Sequence, residues 1–160
     1  IRGPWPVGRE GGCHLRSFTY VLRFEGWAEA LDDAGRQLRV EATARTARIV
    51  PEARRPGVRF ETAPGPGARF RAEVSMTAAD RFREHGTLDL GSGAVLRFES
   101  VGEGHLGPVE KTGRRRGGVV WRVVGGEGAL AGASGLITSN FQVGDDGALV
   151  DHQIGVLELP

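Results

Sequence analysis

The most constraining feature of this chain is a glycine-dense stretch, residues 125–141, in which five glycines stand among small apolar residues. Glycine at this density weakens a regular strand, and it favours positions where φ is positive or where two backbones come close together. A strand-like run, 119–124, precedes the stretch, and the turn sequence Asp145-Asp146-Gly147 follows it. The order of strand, kink, strand, hairpin and strand is typical of a closed β-barrel.

Apolar and polar residues alternate along nearly the whole chain, most clearly over residues 18–25 and 68–76. Alternation of period two places one set of side chains on the inner face of a sheet. We therefore predict an all-β fold, a single antiparallel closed β-barrel of about eight strands with an apolar lumen, formed by residues 1–160 as one domain. The one helical pattern is Thr77–Glu84, with Thr77 as its N-cap, so we expect at most one short helix.

Composition and motif spacing exclude several classes of function. The chain carries 21 basic and 20 acidic side chains, so no net field attracts nucleic acid or an anionic membrane. Its four histidines are isolated, its single cysteine is Cys13, and no glycine run leads into a helix, so we expect neither a metal site nor a cofactor. No apolar run is long enough to span a bilayer, and we expect a cytoplasmic protein without a membrane partner.

The glycine block also carries a resemblance to a known group of barrels. The pattern Gly128-x-x-x-Gly132-Ala133-x-Gly135-x-Ile137-Thr138, preceded by Gly125-Gly126, resembles the block before the closing strands of allene-oxide-cyclase-like and dirigent-like barrels. The specific match covers residues 117 to 159. The resemblance implies an up-and-down barrel with an apolar lumen, a homodimer or homotrimer, and cyclisation or coupling of a small molecule without a cofactor, as in cyclases of polyketide pathways and other secondary metabolism.

The predicted inward faces supply the candidate site. His152 is the first candidate catalytic residue, because an imidazole in an apolar lumen can exchange a proton near neutral pH, and Tyr20 is placed to polarise an oxygen from another wall. If the last two strands are out of register by one residue, Asn140 and Gln153 face inward instead. The expected substrate-binding residues are Trp121, Met76, Ser100, Ser139, Asn140, Phe24 and Phe98.

Two functions follow from this arrangement. The first is a cofactor-independent cyclase or isomerase that folds an apolar, polyketide- or terpenoid-like small molecule in the lumen, where catalysis works mainly by restricting geometry. The alternative is a non-catalytic barrel that binds or carries a small apolar ligand, for which one orienting polar group is enough.

Overall fold

The computed structural model describes residues 16–51, 58–62 and 67–160 of the chain. Cys13 lies outside these residues. The described chain is built almost entirely from ten β-strands. They are β1 (Arg16–Ala30), β2 (Gln37–Pro51), β3 (Val58–Thr62), β4 (Ala68–Ala78), β5 (Arg81–Asp89), β6 (Val95–Ser100), β7 (Gly104–Val109), β8 (Arg114–Glu127), β9 (Ser134–Gly144) and β10 (Ala148–Leu159).

Eight of these strands close into an antiparallel barrel. The order of hydrogen-bonded neighbours runs β1, β10, β9, β8, β6, β5, β4, β2, and the pairing of β2 with β1 closes the ring. Strand β3 pairs with the far end of β2, and β7 pairs with β5 and β8. The predicted all-β fold, an antiparallel closed barrel of about eight strands, is confirmed.

The lumen of the barrel is apolar, as predicted. Strand β4 shows the pattern most clearly, since every second residue from Ala68 to Val74 is buried while the residues between them are exposed. At the centre, the Trp121 ring stacks on Phe98 at a centroid distance of 4.2 Å and on Phe70 at 5.4 Å. Stacked aromatic rings bury much area and favour such offset contacts, so this cluster anchors the core.

The glycine block makes the kink that its composition predicts. A single 3-10 turn, Gly128–Leu130, connects β8 to β9. Gly128, Gly132 and Gly135 all have positive φ, at 61°, 76° and 136°. A side chain at Gly135 would also overlap the backbone of Val156 on β10. Glycine is therefore required here for both reasons named above, backbone conformation and close approach.

The predicted helix at Thr77–Glu84 is wrong. Strand β4 continues to Ala78, and β5 begins at Arg81 after a two-residue turn, with a register shift between Met76 and Ala78. In β5 the inward positions are 82, 84, 86 and 88, and the acidic Glu84 at one of them conceals the alternation. Within the described ranges no helix is long or apolar enough to cross a membrane.

Candidate active site in the barrel lumen

One end of the lumen contains a cavity of about 420 Å³. Its mouth is bordered by the β1–β2 turn at Gly35, by the β9–β10 turn at residues 145–147, and by Arg115. Its walls are largely apolar and include Val40, Phe70, Val74, Met76, Phe82, Leu106, Phe141 and Leu149. The deeper polar groups that line the cavity are Glu84, Trp121, Ser139 and Asp151. An apolar cavity with a few converging polar groups is the usual form of a small-molecule site.

The first of two buried carboxyl groups belongs to Glu84 on β5. Its Oε1 atom accepts a hydrogen bond of 2.7 Å from Nε1 of Trp121. Its backbone is fixed by Ser100, whose Oγ accepts from the Glu84 N–H at 2.8 Å and donates to the Glu84 carbonyl at 3.0 Å. Burial raises the pKa of Glu84 to about 8, the indole hydrogen bond lowers it, and the charge of Asp151 raises it further.

The second carboxyl group belongs to Asp151 on β10, which is only 2% exposed. Its Oδ1 accepts a hydrogen bond of 2.7 Å from Oγ of Ser139, and its Oδ2 accepts one of 2.7 Å from Nε2 of Gln153. Burial raises the pKa of Asp151 to about 6, while the bonds from Gln153, Ser139 and the backbone of Asn140 lower it by stabilising the charged form.

These environments give the two carboxyl groups different protonation states at neutral pH. With a pKa of about 6, Asp151 is mostly ionised, and with a pKa of about 8, Glu84 is mostly protonated. Because Oε1 of Glu84 accepts the indole hydrogen, its acidic proton lies on Oε2. A pair of titratable groups whose pKa values are separated by their surroundings can act as general base and general acid.

Most of the predicted substrate-binding residues face the lumen, in three different roles. Trp121, Met76 and Ser139 line the cavity. Phe24 and Phe98 face inward and are buried, but they belong to the packed core and not to the cavity lining. Ser100 uses its hydroxyl to hold the backbone of Glu84.

Tyr20, the second predicted catalytic residue, lies inside the barrel but does not line the cavity. Its hydroxyl is buried without a hydrogen-bond partner in the described part of the chain. Burial and the nearby charge of Asp151 raise the pKa of the phenol far above its usual range, so it remains protonated. The hydroxyl is therefore a hydrogen-bond donor and not a base.

The predicted inward positions of His152 and Asn140 are wrong. The buried positions of β10 are 149, 151, 153, 155 and 157, which places His152 on the outer face. There it borders a shallow groove with His105, Arg116 and Asn140, which lies opposite it on β9. Partial burial and the nearby charge of Arg23 lower the pKa of His152. On β10 the alternative register is correct, because Gln153 faces inward. On β9 the first register is correct, because Ser139 faces inward and Asn140 does not.

Sequence reasoning missed both carboxyl groups of the site. Asp151 stands in phase with Leu149, Gln153 and Leu157, and Glu84 stands in phase with Phe82 and Leu88. This phase is the only signal for them in the sequence, and it is a weak one, because an acidic residue is normally assigned to the outer face of a strand.

Comparisons of the chain with known protein families, curated proteins and solved structures found no match. The resemblance to allene-oxide-cyclase-like and dirigent-like barrels therefore stays a prediction. In the described ranges, no group of three or more His, Cys, Asp or Glu side chains is placed to hold a metal ion.

Proposed function

We propose that this protein is a cofactor-independent isomerase or cyclase that transfers protons on an apolar small molecule held in the lumen. The observation that carries the proposal is the pair of Asp151 and Glu84, which line one apolar cavity with pKa values of about 6 and about 8. The polyketide- or terpenoid-like substrate class rests on the resemblance and on the apolar walls. The cavity volume, about 420 Å³, lies in the usual range for small-molecule sites, roughly 300–1,000 Å³.

The proposed reaction is the movement of one proton on a substrate that carries a carbonyl group. The Asp151 carboxylate removes a proton from a carbon next to the carbonyl, while Oε2–H of Glu84 gives its proton to the carbonyl oxygen, forming an enol. Asp151 then returns its proton to another carbon of the conjugated system, and the enol oxygen returns its proton to Glu84. The result is a shifted double bond with both carboxyl groups restored. In a substrate with a second carbonyl group, the enol carbon can instead attack that carbonyl carbon and close a ring. The C=O double bond that is attacked becomes a hydroxyl group that takes the proton held by Asp151, and the enol oxygen returns its proton to Glu84.

Low polarity around the carboxyl groups supports this chemistry. A proton donor and acceptor in a water-excluded cavity act on a bound carbonyl more strongly than they would in water. Ser139 and Gln153 hold both oxygens of Asp151, and Trp121 and Ser100 hold Glu84. The two groups are thus fixed before a substrate arrives, which reduces the entropy cost of reaching a reactive geometry.

The proposal is tested with a panel of apolar cyclic β,γ-unsaturated ketones in D₂O, with deuterium uptake and double-bond migration followed by proton NMR. Asp151→Asn and Glu84→Gln should each lower the rate by roughly 10²-fold or more, because each removes a proton-transfer group. The same variants should still bind the ketones, measured by quenching of Trp121 emission in a chain where Trp5 and Trp27 are replaced by Phe.

The control is His152→Ala on the outer face, which should leave both rate and binding unchanged. If the wild-type protein binds the ketones but exchanges and isomerises none of them faster than buffer does, it is a carrier and the proposed enzyme function is wrong.

A further inference from the structure

Two buried polar atoms near the carboxyl pair have no hydrogen-bond partner within the described ranges. They are Oη of Tyr20 and Oε1 of Gln153. Leaving such an atom unpaired destabilises the folded state, and buried polar groups are nearly always bonded to protein or to water. The two atoms are complementary, because a protonated phenol donates and an amide oxygen accepts.

Strand register makes Tyr20 and Gln153 neighbours. Tyr20 on β1 lies opposite Gly155 on β10. Two residues further along β1, Leu22 lies opposite Gln153. Both side chains face inward, so they form a diagonal cross-strand pair, whose spacing is within reach of long side chains. A side chain at Gly155 would overlap the Tyr20 ring, so this glycine allows the ring to lie across β10.

The amide of Gln153 has one orientation while Asp151 is ionised. Its Nε2 donates to Oδ2 of Asp151, which directs Oε1 away from the carboxylate. Neither Gln153 nor Tyr20 lines the cavity, so a substrate there does not reach them. The group that joins them is therefore small and able both to accept and to donate a hydrogen bond, as a water molecule does.

We propose that one buried water molecule bridges Tyr20 Oη and Gln153 Oε1, and that Tyr20 is thereby a positioning residue that acts on Asp151 through Gln153. The inference rests on the proposed role of Asp151 as the base. The bridged hydroxyl holds the Gln153 amide in the orientation that donates to Oδ2, which favours the ionised form of Asp151. Other titratable groups on the cavity or its rim are Glu84, Arg115, Asp145 and Asp146.

The test is a pair of double-mutant cycles in which the pKa of Asp151 is measured. Carbon-13 NMR of the side-chain carboxyl groups gives this pKa, and the signal is assigned by its loss in Asp151→Asn. Gln153→Met should raise this pKa by roughly 0.5 to 1, because it removes one hydrogen bond to the carboxylate. Tyr20→Phe should raise it by a smaller amount, because it weakens that bond without removing it. The Tyr20→Phe, Gln153→Met double variant should match Gln153→Met alone, because Tyr20 acts through Gln153. As the control cycle, Tyr20→Phe and Ser139→Ala should shift the pKa additively.

An unchanged pKa in Tyr20→Phe, or additive shifts in the first cycle, would overturn the proposal. A second measurement does not depend on any variant folding. A high-resolution crystal structure of the wild-type protein should show a water within hydrogen-bond distance of both atoms, and its absence would also overturn the proposal. These experiments measure the ionisation of Asp151 and not turnover. A carrier protein without enzyme activity would therefore show the same coupling, and the two proposals can fail independently of each other.

Discussion

Among single residues, the important groups are two acidic side chains, Glu84 and Asp151, that interrupt an apolar pattern. Trp121, Met76 and Ser139 could be placed at the cavity from sequence, because they stand in phase with apolar neighbours on clearly alternating strands. Glu84 and Asp151 could not, because acidic side chains are almost never fully buried unless paired, and their positions are normally assigned to the outer face. They are kept inside by hydrogen bonds from Trp121 and Ser139 on other strands and from Gln153 on the same strand as Asp151, and the cross-strand contacts are not apparent from one sequence.

The raised pKa of Glu84 predicts how stability depends on pH. The folded pKa of about 8 lies above the unfolded value of about 4.3, so the folded state binds this proton more tightly. The contribution is fully present below the unfolded pKa and is lost as pH rises through about 8. Urea unfolding at a series of pH values should show stability falling with pH in the wild type and falling less in Glu84→Gln, whose amide stays neutral.

The raised pKa of Asp151 also makes stability fall as pH rises, but over a lower pH range that ends near its folded pKa of about 6. This decline should be present in both the wild type and Glu84→Gln. The matched control is Val120→Thr, a substitution at an exposed position on the outer face of β8 that removes no titratable group. Its stability curve should run parallel to that of the wild type. Parallel curves for wild type and Glu84→Gln would contradict the raised pKa.

At the scale of elements, alternation predicted strands well where the inner face was uniformly apolar, as in β4. The prediction was wrong at β5, because Glu84 and the helix-forming residues around it gave a helical pattern. It was also wrong at β10, where the predicted inward positions were shifted by one residue. A one-residue shift moves every side chain to the opposite face. The inward face of β10 carries Asp151, Gln153 and Gly155, so its apolar content did not identify it.

The kink before β9 depends on the glycine at position 135. Gly135→Val places a β-branched residue at a φ of 136° and against the backbone of Val156, so it should destabilise the barrel by several kcal/mol. Gly107→Ala on β7 is the control, because a methyl group there meets no atom within 4 Å. Thermal unfolding should show a large drop in Tm for the first variant and little change for the second. Equal Tm values would mean that the kink is not a constraint.

At the scale of the whole molecule, the closed barrel follows from strands that each have one apolar face, since closure removes exposed sheet edges. Sequence indicated this architecture because turns, glycine kinks and alternation all agreed. The empty part of the lumen was not predictable, because whether side chains fill a barrel of about eight strands depends on how they pack across it.

A substitution that reduces the cavity volume should show whether a small apolar ligand binds in the lumen or on the outer wall of the barrel. Val143→Phe enlarges a partly buried residue that lines the cavity, whereas Val120→Phe makes the same change on the outer face of β8. The affinity for the neutral fluorescent probe N-phenyl-1-naphthylamine should fall at least tenfold in the first variant and stay unchanged in the second. Equal affinities would place the probe outside the lumen.

The proposed acid and base roles require one protonated and one ionised carboxyl group in the lumen at neutral pH. A pH titration of the side-chain carboxyl carbons by NMR in wild type, Glu84→Gln and Asp151→Asn measures this directly. Two titrations are expected in the wild type, near pH 6 and pH 8, and Glu84→Gln should remove the one near 8 while Asp151→Asn removes the one near 6. If both groups instead ionise in the ordinary range, at about pH 4, the acid and base roles assigned to them are wrong.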